Sequence, residues 1–397
     1  MTKHSKTVGS STAARVIACP RSFTLSKDIP NVESSYAAEG SMLHEACEVI
    51  LNGGVDKDTD VIGMETEWGT VTQELYYEMV DPAMKAFDKL FDDRFEYLTE
   101  QICHLPDDIV PGAFGTADVL GQLDVKGAGE SYSAILDWKF GRGVAVPAED
   151  NKQLLFCASA GRETHPKMFQ SDKIFGIIVQ PGFSHDPDVW QFTHDDVDQF
   201  EEELEAAWQK VEDAPLKEGS HCMFCPAKAL CPAKHEKIKR VQTLNIQRTS
   251  LPENEYIEGK DLSELLSMAT DAEEWAKAVK KYAHEEMERG VRIDNWKLVN
   301  KRATRKWIDD EAAAKFLKGC RMKKAEIFPA KLITAPQAET WLKANTPEGR
   351  ATTIRTNKFE ELITSHSSGT TLAPESDKRP AVETTNEKLS KLKGIEA

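Results

Sequence analysis

The stretch Ala134–Gly143, AILDWKFGRG, decides how the middle of this chain is interpreted. An apolar run leads into Asp137-Trp138-Lys139, and the chain then turns on two glycines. Side chains alternate along a strand, so Asp137 and Lys139 share one face and Trp138 takes the other. A carboxylate and an ammonium at the end of a strand form either a surface ion pair or part of a site. The second interpretation needs a partner carboxylate elsewhere in the chain.

A candidate partner is the aspartate of Gly115-Thr116-Ala117-Asp118, in the preceding strand-like segment. Two carboxylates a few ångströms apart repel each other unless a cation lies between them. Hard oxygen ligands suit Mg²⁺ or Mn²⁺, which polarise phosphates and lower the pKa of water. Lys139 would then orient or deprotonate that water, or stabilise charge on the phosphate.

The residue pattern around these motifs predicts an α/β fold, a small central mixed sheet flanked by helices. Three segments that alternate or run apolar predict an antiparallel meander: residues 95–105, 114–124 and 132–140. Two further strands are predicted at 173–182 and 189–196. Helical periodicity covers 10–27, 36–51, 70–95, 149–162 and 195–213.

Composition excludes several classes of protein. The chain has 397 residues, 40% of them hydrophobic and 29% charged, which is ordinary for a globular protein. No run approaches the roughly 18 apolar residues that span a bilayer, and the first residues lack a long apolar segment, so we expect a cytoplasmic protein without a membrane partner. A net charge of −16 argues against a uniformly basic nucleic-acid-binding surface but leaves a local basic groove open.

Three of the eight cysteines form a cluster, Cys222-x₂-Cys225-x₅-Cys231. Structural zinc and cubane iron–sulfur sites both take four ligands, so a fourth thiolate is wanted. The candidate is Cys19, about 200 residues earlier. His221 and His235 flank the cluster and are weaker substitutes. The default interpretation of the other four cysteines is buried thiols: Cys47, Cys103, Cys157 and Cys320.

The acid and lysine motifs together resemble the PD-(D/E)XK nuclease superfamily, with Asp118 as its first acid and Asp137 and Lys139 as its (D/E)XK pair. Gln153 resembles the glutamine of the Gln-x-x-x-Tyr motif in the RecB-type branch, although Cys157 stands at the tyrosine position. Glu39-Gly40-x-x-x-His44 resembles the histidine motif of that branch. The resemblance implies a restriction-endonuclease-like core in residues 1–240.

The same resemblance implies roles for individual residues. His44, Asp118, Asp137 and the Trp138 carbonyl would hold Mg²⁺ or Mn²⁺. Lys139 would activate water, and Gln153 would position the scissile phosphate or that water. Glu100 could also face the metal but carries less weight, and the default interpretation of Glu45 and Glu48 is a solvated helix face.

One early cysteine and a late C-x₂-C-x₅-C bracketing the nuclease motifs resemble the iron–sulfur nucleases, namely AddB-type helicase-nucleases and CRISPR-associated adaptation exonucleases. This implies a [4Fe–4S] cluster on Cys19, Cys222, Cys225 and Cys231 that staples the two ends of the nuclease domain, with structural zinc as the alternative. Several segments resemble one phage and prophage family of unknown function: SSTAARVIACPRS, AAEGSMLHEACE, GTADVL, LDWKFGRGVAVPAEDNKQL and TLAPESDKRPA.

These features predict a metal-dependent DNA exonuclease that resects DNA ends in phage replication or recombination, in the host cytoplasm. Residues 241–370 are expected to form an α+β extension that binds DNA or a partner such as a recombinase or single-strand-binding protein, and 371–397 a flexible polar tail. The alternatives are a degenerate DNA-binding module and a recruiter of recombination partners. Candidate contacts to DNA ends or single strands are Arg142, Lys301, Arg302 and Arg305.

Overall fold

The computed structural model describes residues 5–29, 35–53, 60–91, 95–125, 130–142, 144–237, 239, 259–301, 304–328, 332–345, 357–366 and 369–382. The chain divides into two compact units, residues 1–268 and 269–397. The predicted boundary at residue 240 lies outside the described residues and stays a prediction. Within the described part of the chain, no helix has the length and apolar character needed to cross a membrane.

The first unit is built on a five-stranded mixed sheet, as the sequence predicts. Its strands are β3 (Phe95–His104), β4 (Phe114–Val125), β5 (Glu130–Trp138), β6 (Ile174–Val179) and β7 (Asp188–Phe192), in the order β3-β4-β5-β6-β7. The first three form the antiparallel meander, β5 and β6 run parallel, and β7 is antiparallel to β6. A short hairpin, β1 (Glu65–Thr66) and β2 (Gly69–Thr70), lies apart from this sheet.

Helices cover both faces of the sheet. They are α1 (Ser10–Ala18), α2 (Ser22–Ser26), α3 (Ser35–Leu51), α4 (Gln73–Leu75), α5 (Asp81–Leu90), α6 (Lys152–Thr164) and α7 (His194–Trp208), with a π-helical turn at Tyr76–Val80. Leu120 and Ile135 belong to the buried cluster that contains α1, α6 and α7, whereas Val119 and Leu136 belong to the cluster that contains α3 and α5. This alternation follows from the two-residue period of a strand.

Two predicted helices differ from the structure. The helix predicted over 10–27 is broken between Ala18 and Ser22, because Pro20 lacks the N–H that would continue it and its ring clashes with the preceding turn. The helix predicted over 70–95 begins only at Gln73, after β2, and its last turn ends at Leu90. The apolar periodicity of residues 81–90 therefore indicated a helix correctly, whereas the predicted ends of that helix lay too far apart.

The second unit contains a long helix, α8 (Gly259–Glu288), of which the larger part lies beyond residue 268, and two small antiparallel ribbons. Strand β8 (Trp296–Asn300) pairs with β11 (Thr370–Pro374), and β9 (Thr304–Trp307) pairs with β10 (Ile363–His366). Helices α9 (Asp310–Gly319), α10 (Lys324–Ile327) and α11 (Ala335–Asn345) contribute to a small core with Phe359.

Part of the segment predicted to be a flexible tail forms a β-strand. Residues 371–374 lie in β11, where Leu372 pairs with Leu298 and Ala373 is buried. The polar and proline-rich residues around this segment made its short β-branched stretch difficult to recognise in the sequence. Pairing with another strand stabilises it. Residues 383–397 lie outside the described part of the chain.

Candidate active site

Three carboxylates form a row across neighbouring strands. In the β3–β4 register, the residue pairs on either side place Glu100 opposite Asp118. The β4–β5 register, carried one residue beyond its last pair Val119–Leu136, sets Asp118 opposite Asp137. Residues directly opposite on antiparallel strands point to the same face, so the row brings acids from β3, β4 and β5 together.

The backbone at Glu100 changes which face of β3 the side chains occupy. Glu100 has a φ of 48°, in the left-handed region that non-glycine residues seldom adopt. Before it, Tyr97 and Thr99 donate hydrogen bonds to the end of α3, at 3.2 and 2.9 Å. After it, Cys103 packs in the cluster that contains α6, although a regular strand would keep these odd-numbered residues on one face. The distortion delivers the Glu100 carboxylate to the cleft.

His44 reaches the same point from α3. Its Nδ1 lies 3.5 Å from Asp118 Oδ2 and 3.8 Å from Glu100 Oε1. One ligand atom of each residue lies within 4.8 Å of the others, and this is the metal-competent group found among the described residues. Phe140 meets the imidazole edge-on with ring centroids 5.3 Å apart, which fixes its orientation. All three residues line a cleft of about 690 Å³.

Asp137 and Lys139 form a second cluster with Gln153. The Lys139 ammonium lies 2.5 Å from Asp137 Oδ2 and donates a 2.9 Å hydrogen bond to Gln153 Oε1. The Gln153 amide donates a 2.6 Å hydrogen bond to the other carboxylate oxygen, Asp137 Oδ1. Asn151 caps α6 by accepting from the Gln153 backbone N–H, so the start of the helix places the glutamine.

The two clusters are joined by the backbone and by charge. The Trp138 N–H donates a 2.7 Å hydrogen bond to Asp118 Oδ2, while the Trp138 ring packs on the opposite face beside Phe87. Burial alone would raise the pKa of the Asp118 carboxyl, but the His44 charge and then Lys139 and this N–H outweigh it and lower the pKa.

The remaining titratable groups respond to the same charges. Burial raises the pKa of Asp137, and the Asp118 charge adds to this despite the nearby ammonium. Burial alone would lower the pKa of His44, but the Asp118 and Glu100 carboxylates raise it to about 10. Burial would likewise lower the pKa of Lys139, but Asp137 and Asp118 raise it. Lys139 is therefore an ammonium in this site.

The donor set fits a divalent metal ion. One imidazole nitrogen and two carboxylate oxygens are ligands that Mg²⁺ or Mn²⁺ accepts. The buried Asp137 Oδ2 receives no hydrogen bond of acceptable geometry even though the ammonium is close, so this oxygen could also face a cation. The His44, Glu100 and Asp118 side chains could therefore hold a metal ion, with Asp137 beside them.

The four cysteines predicted to bind a cluster come from two distant segments that meet. Cys19 Sγ accepts a 3.4 Å hydrogen bond from the Lys217 N–H, and Cys222 Sγ lies 4.0 Å from the Lys217 carbonyl oxygen. Burial raises the pKa of the Cys225 thiol, and Cys222 and Cys231 add to this effect. Within the described ranges, no three of these sulfurs lie within 4.8 Å of one another.

The predicted DNA contacts are spread over both units. Arg142 pairs with Glu78 at 3.0 Å in the first unit. In the second unit Arg305 pairs with Glu339 at 2.6 Å, and the side chain of Lys301 is exposed. Arg302 lies outside the described residues. Arg142 thus belongs to the first unit and Lys301 and Arg305 to the second, and the roles of all four residues stay predictions.

Sequence reasoning undervalued Glu100 and missed Gln180. Glu100 alternates like any polar strand residue, and no sequence signal announces its left-handed backbone. Gln180 is buried, accepts from the Val146 N–H, and donates to the carbonyl oxygens of Gly141 and Val144. It holds the loop that follows Lys139, and only the fold brings it there.

Two solved structures match this chain at low similarity. A crystallised alkaline exonuclease from Laribacter hongkongensis is 8% identical, covers 52% of this chain and 88% of its own, and has a TM-score of 0.25. The second is a protein from Eubacterium rectale that carries an unproven exonuclease assignment. It is 12% identical, the match covers 65% of this chain and 92% of the Eubacterium rectale chain, and the TM-score is 0.33.

The similarity of the whole sequence is more extensive than that of either structure. A single family model matches residues 4–380, which cover most of both compact units. The chain belongs to the family described as "Protein of unknown function (DUF2800)".

Proposed function

We propose that this protein is a divalent-metal-dependent nuclease that hydrolyses DNA phosphodiester bonds. One observation carries the proposal: His44, Glu100 and Asp118 converge at 3.5–3.8 Å in an open cleft, beside a buried carboxylate–ammonium–amide cluster. Structural ion pairs do not need three acids and an imidazole around one point. Phosphoryl transfer does need a cation site next to a fixed positive charge.

The side chains divide the work. A divalent cation, when bound, supplies Lewis-acid polarisation of a phosphate oxygen and activates water. His44, Glu100 and Asp118 would hold it, with Asp137 and the Trp138 carbonyl as further candidate ligands. The raised pKa of Lys139 favours an ammonium that orients water and neutralises developing negative charge, over a lysine that removes a proton. Gln153 fixes Asp137 and Lys139 through two hydrogen bonds.

The finer assignment is exonucleolytic digestion of DNA ends during phage replication or recombination, in the host cytoplasm. It is supported by the resemblance of the ordered set His44, Asp118, Asp137, Lys139 and Gln153 to RecB-type enzymes. We further propose that residues 1–240 are the nuclease domain and that 241–370 contact DNA or a recombination partner.

The test compares digestion of end-labelled linear DNA and of circular single-stranded DNA with Mn²⁺ or Mg²⁺. The wild type should release nucleotides from linear DNA and leave the circle intact. Asp118→Asn and Lys139→Met should lower the rate by at least about 100-fold while DNA binding persists. Binding without any metal-dependent hydrolysis by the wild type would instead identify a degenerate binding module.

We also propose that Cys19, Cys222, Cys225 and Cys231 hold a [4Fe–4S] cluster. Support comes from Lys217, whose backbone contacts both Cys19 and Cys222. Tetrahedral zinc with Zn–S bonds of about 2.3 Å requires sulfurs about 3.8 Å apart. A structural zinc ion on the same four thiolates remains the alternative, and metal analysis of the purified protein separates the two.

A further inference from the structure

A strongly basic turn stands out in the second unit. Between residues 315 and 324 the chain carries five cations and no acidic residue, in a protein with a net charge of −16. All five side chains belong to exposed residues: Lys315, Lys318, Arg321, Lys323 and Lys324. We call this segment, residues 315–324, the basic turn.

The backbone of the basic turn is fixed by the core beneath it. Helix α9 ends at Gly319, and the Met322 N–H closes the turn by donating to the Leu317 carbonyl oxygen at 3.2 Å. Leu317 and Met322 are buried in the small core of the second unit. The cations between and beside these two anchors therefore have fixed Cα positions, and their display is not a property of a loose loop.

Arg321 occupies a position that normally favours glycine. Its φ is 67°, in the left-handed region just after the end of a helix. The left-handed backbone conformation costs free energy when arginine adopts it, and glycine would avoid this cost. The favourable effect of a helix C-terminus on cations reaches only the last turn and could account for Lys318, but it does not account for charges that continue through Lys323 and Lys324.

The charges of the basic turn are not compensated. Among the described residues, none of its five cations forms an ion pair within 4.0 Å, whereas Arg305 pairs with Glu339 and Arg162 with Asp198 and Glu201. The acids of α9, Asp310 and Glu311, lie in its first turn, at the opposite end of the helix. Glu326, which follows the turn, accepts a 2.8 Å hydrogen bond from the Lys323 backbone N–H, so its carboxylate caps α10 and forms no ion pair with the five cations.

We propose that the basic turn binds the phosphate backbone of the DNA substrate, as a contact separate from the cleavage site. This inference rests on the proposed nuclease function, which supplies the polyanion. Phe328 follows α10, is 43% exposed, and donates its N–H to the Lys324 carbonyl oxygen at 2.9 Å. An exposed ring next to uncompensated cations is the combination that binds single strands, through phosphate contacts and base stacking.

The test uses the full chain in EDTA, so that binding is measured without hydrolysis. Fluorescence anisotropy follows a labelled single-stranded 30-mer over a series of salt concentrations. Replacing Lys318, Lys323 and Lys324 by Gln should weaken binding at least tenfold. It should also reduce the slope of log K against log [salt] by about 2, because each lost phosphate contact on a single strand contributes roughly 0.7.

The matched control removes the same three charges elsewhere in the second unit. Lys277, Lys280 and Lys281 lie on α8, where Lys277 pairs with Glu273 and Lys281 with Glu285. Replacing these three lysines by Gln should leave the salt slope unchanged. Equal slopes for wild type, basic-turn triple and control triple would overturn the proposal, as would wild-type binding to anionic vesicles in preference to DNA.

Arg321→Gly separates a binding role from a structural one. Glycine suits a φ of 67°, so the melting temperature should stay equal or rise, while affinity for the 30-mer should fall about two- to fivefold. Unchanged affinity would count against the proposal. Phe328→Ala should weaken binding of a single strand more than of a duplex.

Failure of the nuclease function would look different. Asp118→Asn should retain DNA binding and its salt slope but lose hydrolysis, whereas the basic-turn triple should still hydrolyse a small phosphodiester, bis(p-nitrophenyl) phosphate, with Mn²⁺. The basic-turn triple could show a reduced salt slope while the wild type never hydrolyses DNA. That combination would support the binding proposal and reject the nuclease function.

Discussion

Glu100 joins His44 and Asp118 in the metal-competent group, although it carries less weight in the sequence than those two residues. Its left-handed backbone costs of order 1–3 kcal/mol, which the surrounding pairing of β3 with β4 must offset. Glu100→Gln keeps the shape but removes a ligand charge, so Mn²⁺-dependent DNA hydrolysis should fall by at least about 100-fold. Glu96→Gln, an exposed change on the same strand, is the matched control and should keep wild-type activity. Equal activity of both variants would remove Glu100 from the site.

Metal binding should displace a proton from His44. The neighbouring carboxylates raise the pKa of the metal-free imidazole from 6.5 to about 10, so it is charged at pH 8. A ligand must be neutral, so Mn²⁺ binding should release about one proton at pH 8, and affinity should rise with pH up to about 10. Calorimetry in two buffers of different ionisation enthalpy measures this release.

The control for proton release is His44→Gln, which should bind Mn²⁺ more weakly and with little proton release. Binding by the wild type that is independent of pH between 7 and 9 would contradict the assignment of His44 as a ligand.

At the residue scale, the sequence predicted the neighbours of Asp137 better than the ligand set. The two-residue strand period predicted that Lys139 shares a face with Asp137, and the resemblance to RecB-type nucleases singled out Gln153; in the structure both side chains contact the Asp137 carboxylate. Sequence reasoning gave Glu100 less weight than His44 and Asp118 as a metal ligand, because the role of Glu100 depends on a backbone conformation and a strand register that no local pattern encodes.

At the element scale, α6 must pack closely on the sheet to hold Gln153 in place. Gly161 lies on the face of α6 that meets Leu120 of β4 and the Phe169 ring of the 3₁₀ turn after the helix, and a Cβ there would lie 2.6 Å from that ring. Gly→Ala in a helix ordinarily stabilises by about 1 kcal/mol, but the clash should reverse the sign and cost about 1–3 kcal/mol. Urea unfolding of Gly161→Ala measures the change.

The comparison for that change is Gly40→Ala on α3, where a Cβ would meet nothing within 4 Å. This variant should be stabilised by about 0.5–1 kcal/mol. Stabilisation of both variants would show that α6 does not pack as tightly as described.

The elements themselves were largely predictable. The meander, the strands β6 and β7 and helices α3, α6 and α7 follow from apolar periodicity and from turn residues. Proline effects and short edge strands were not, as the break at Pro20 and the strand β11 show. Such features depend on single residues and on partners far along the chain.

At the scale of the whole molecule, the proposed iron–sulfur cluster joins segments about 200 residues apart. A cross-link over such a loop stabilises the folded state by about 5 kcal/mol in a chain-entropy treatment. Anaerobically purified protein should contain about four iron and four sulfide per chain. Cys231→Ser should lose the iron and lower the melting temperature by about 10 °C or more.

Cys320→Ser is the control for that experiment, because Cys320 is buried in the second unit and is not a proposed ligand. It should retain the iron. If the anaerobic wild type contained one equivalent of zinc and no iron, the iron–sulfur cluster would be rejected and zinc would be the metal at this site.

Above all, we propose that one divalent ion is held between α3, β3 and β4. Anomalous diffraction from a crystal soaked in Mn²⁺ tests this most directly. We expect a peak within bonding distance of His44 Nδ1, Glu100 Oε1 and Asp118 Oδ2. A fully loaded crystal whose manganese peaks all lie outside the cleft would contradict it.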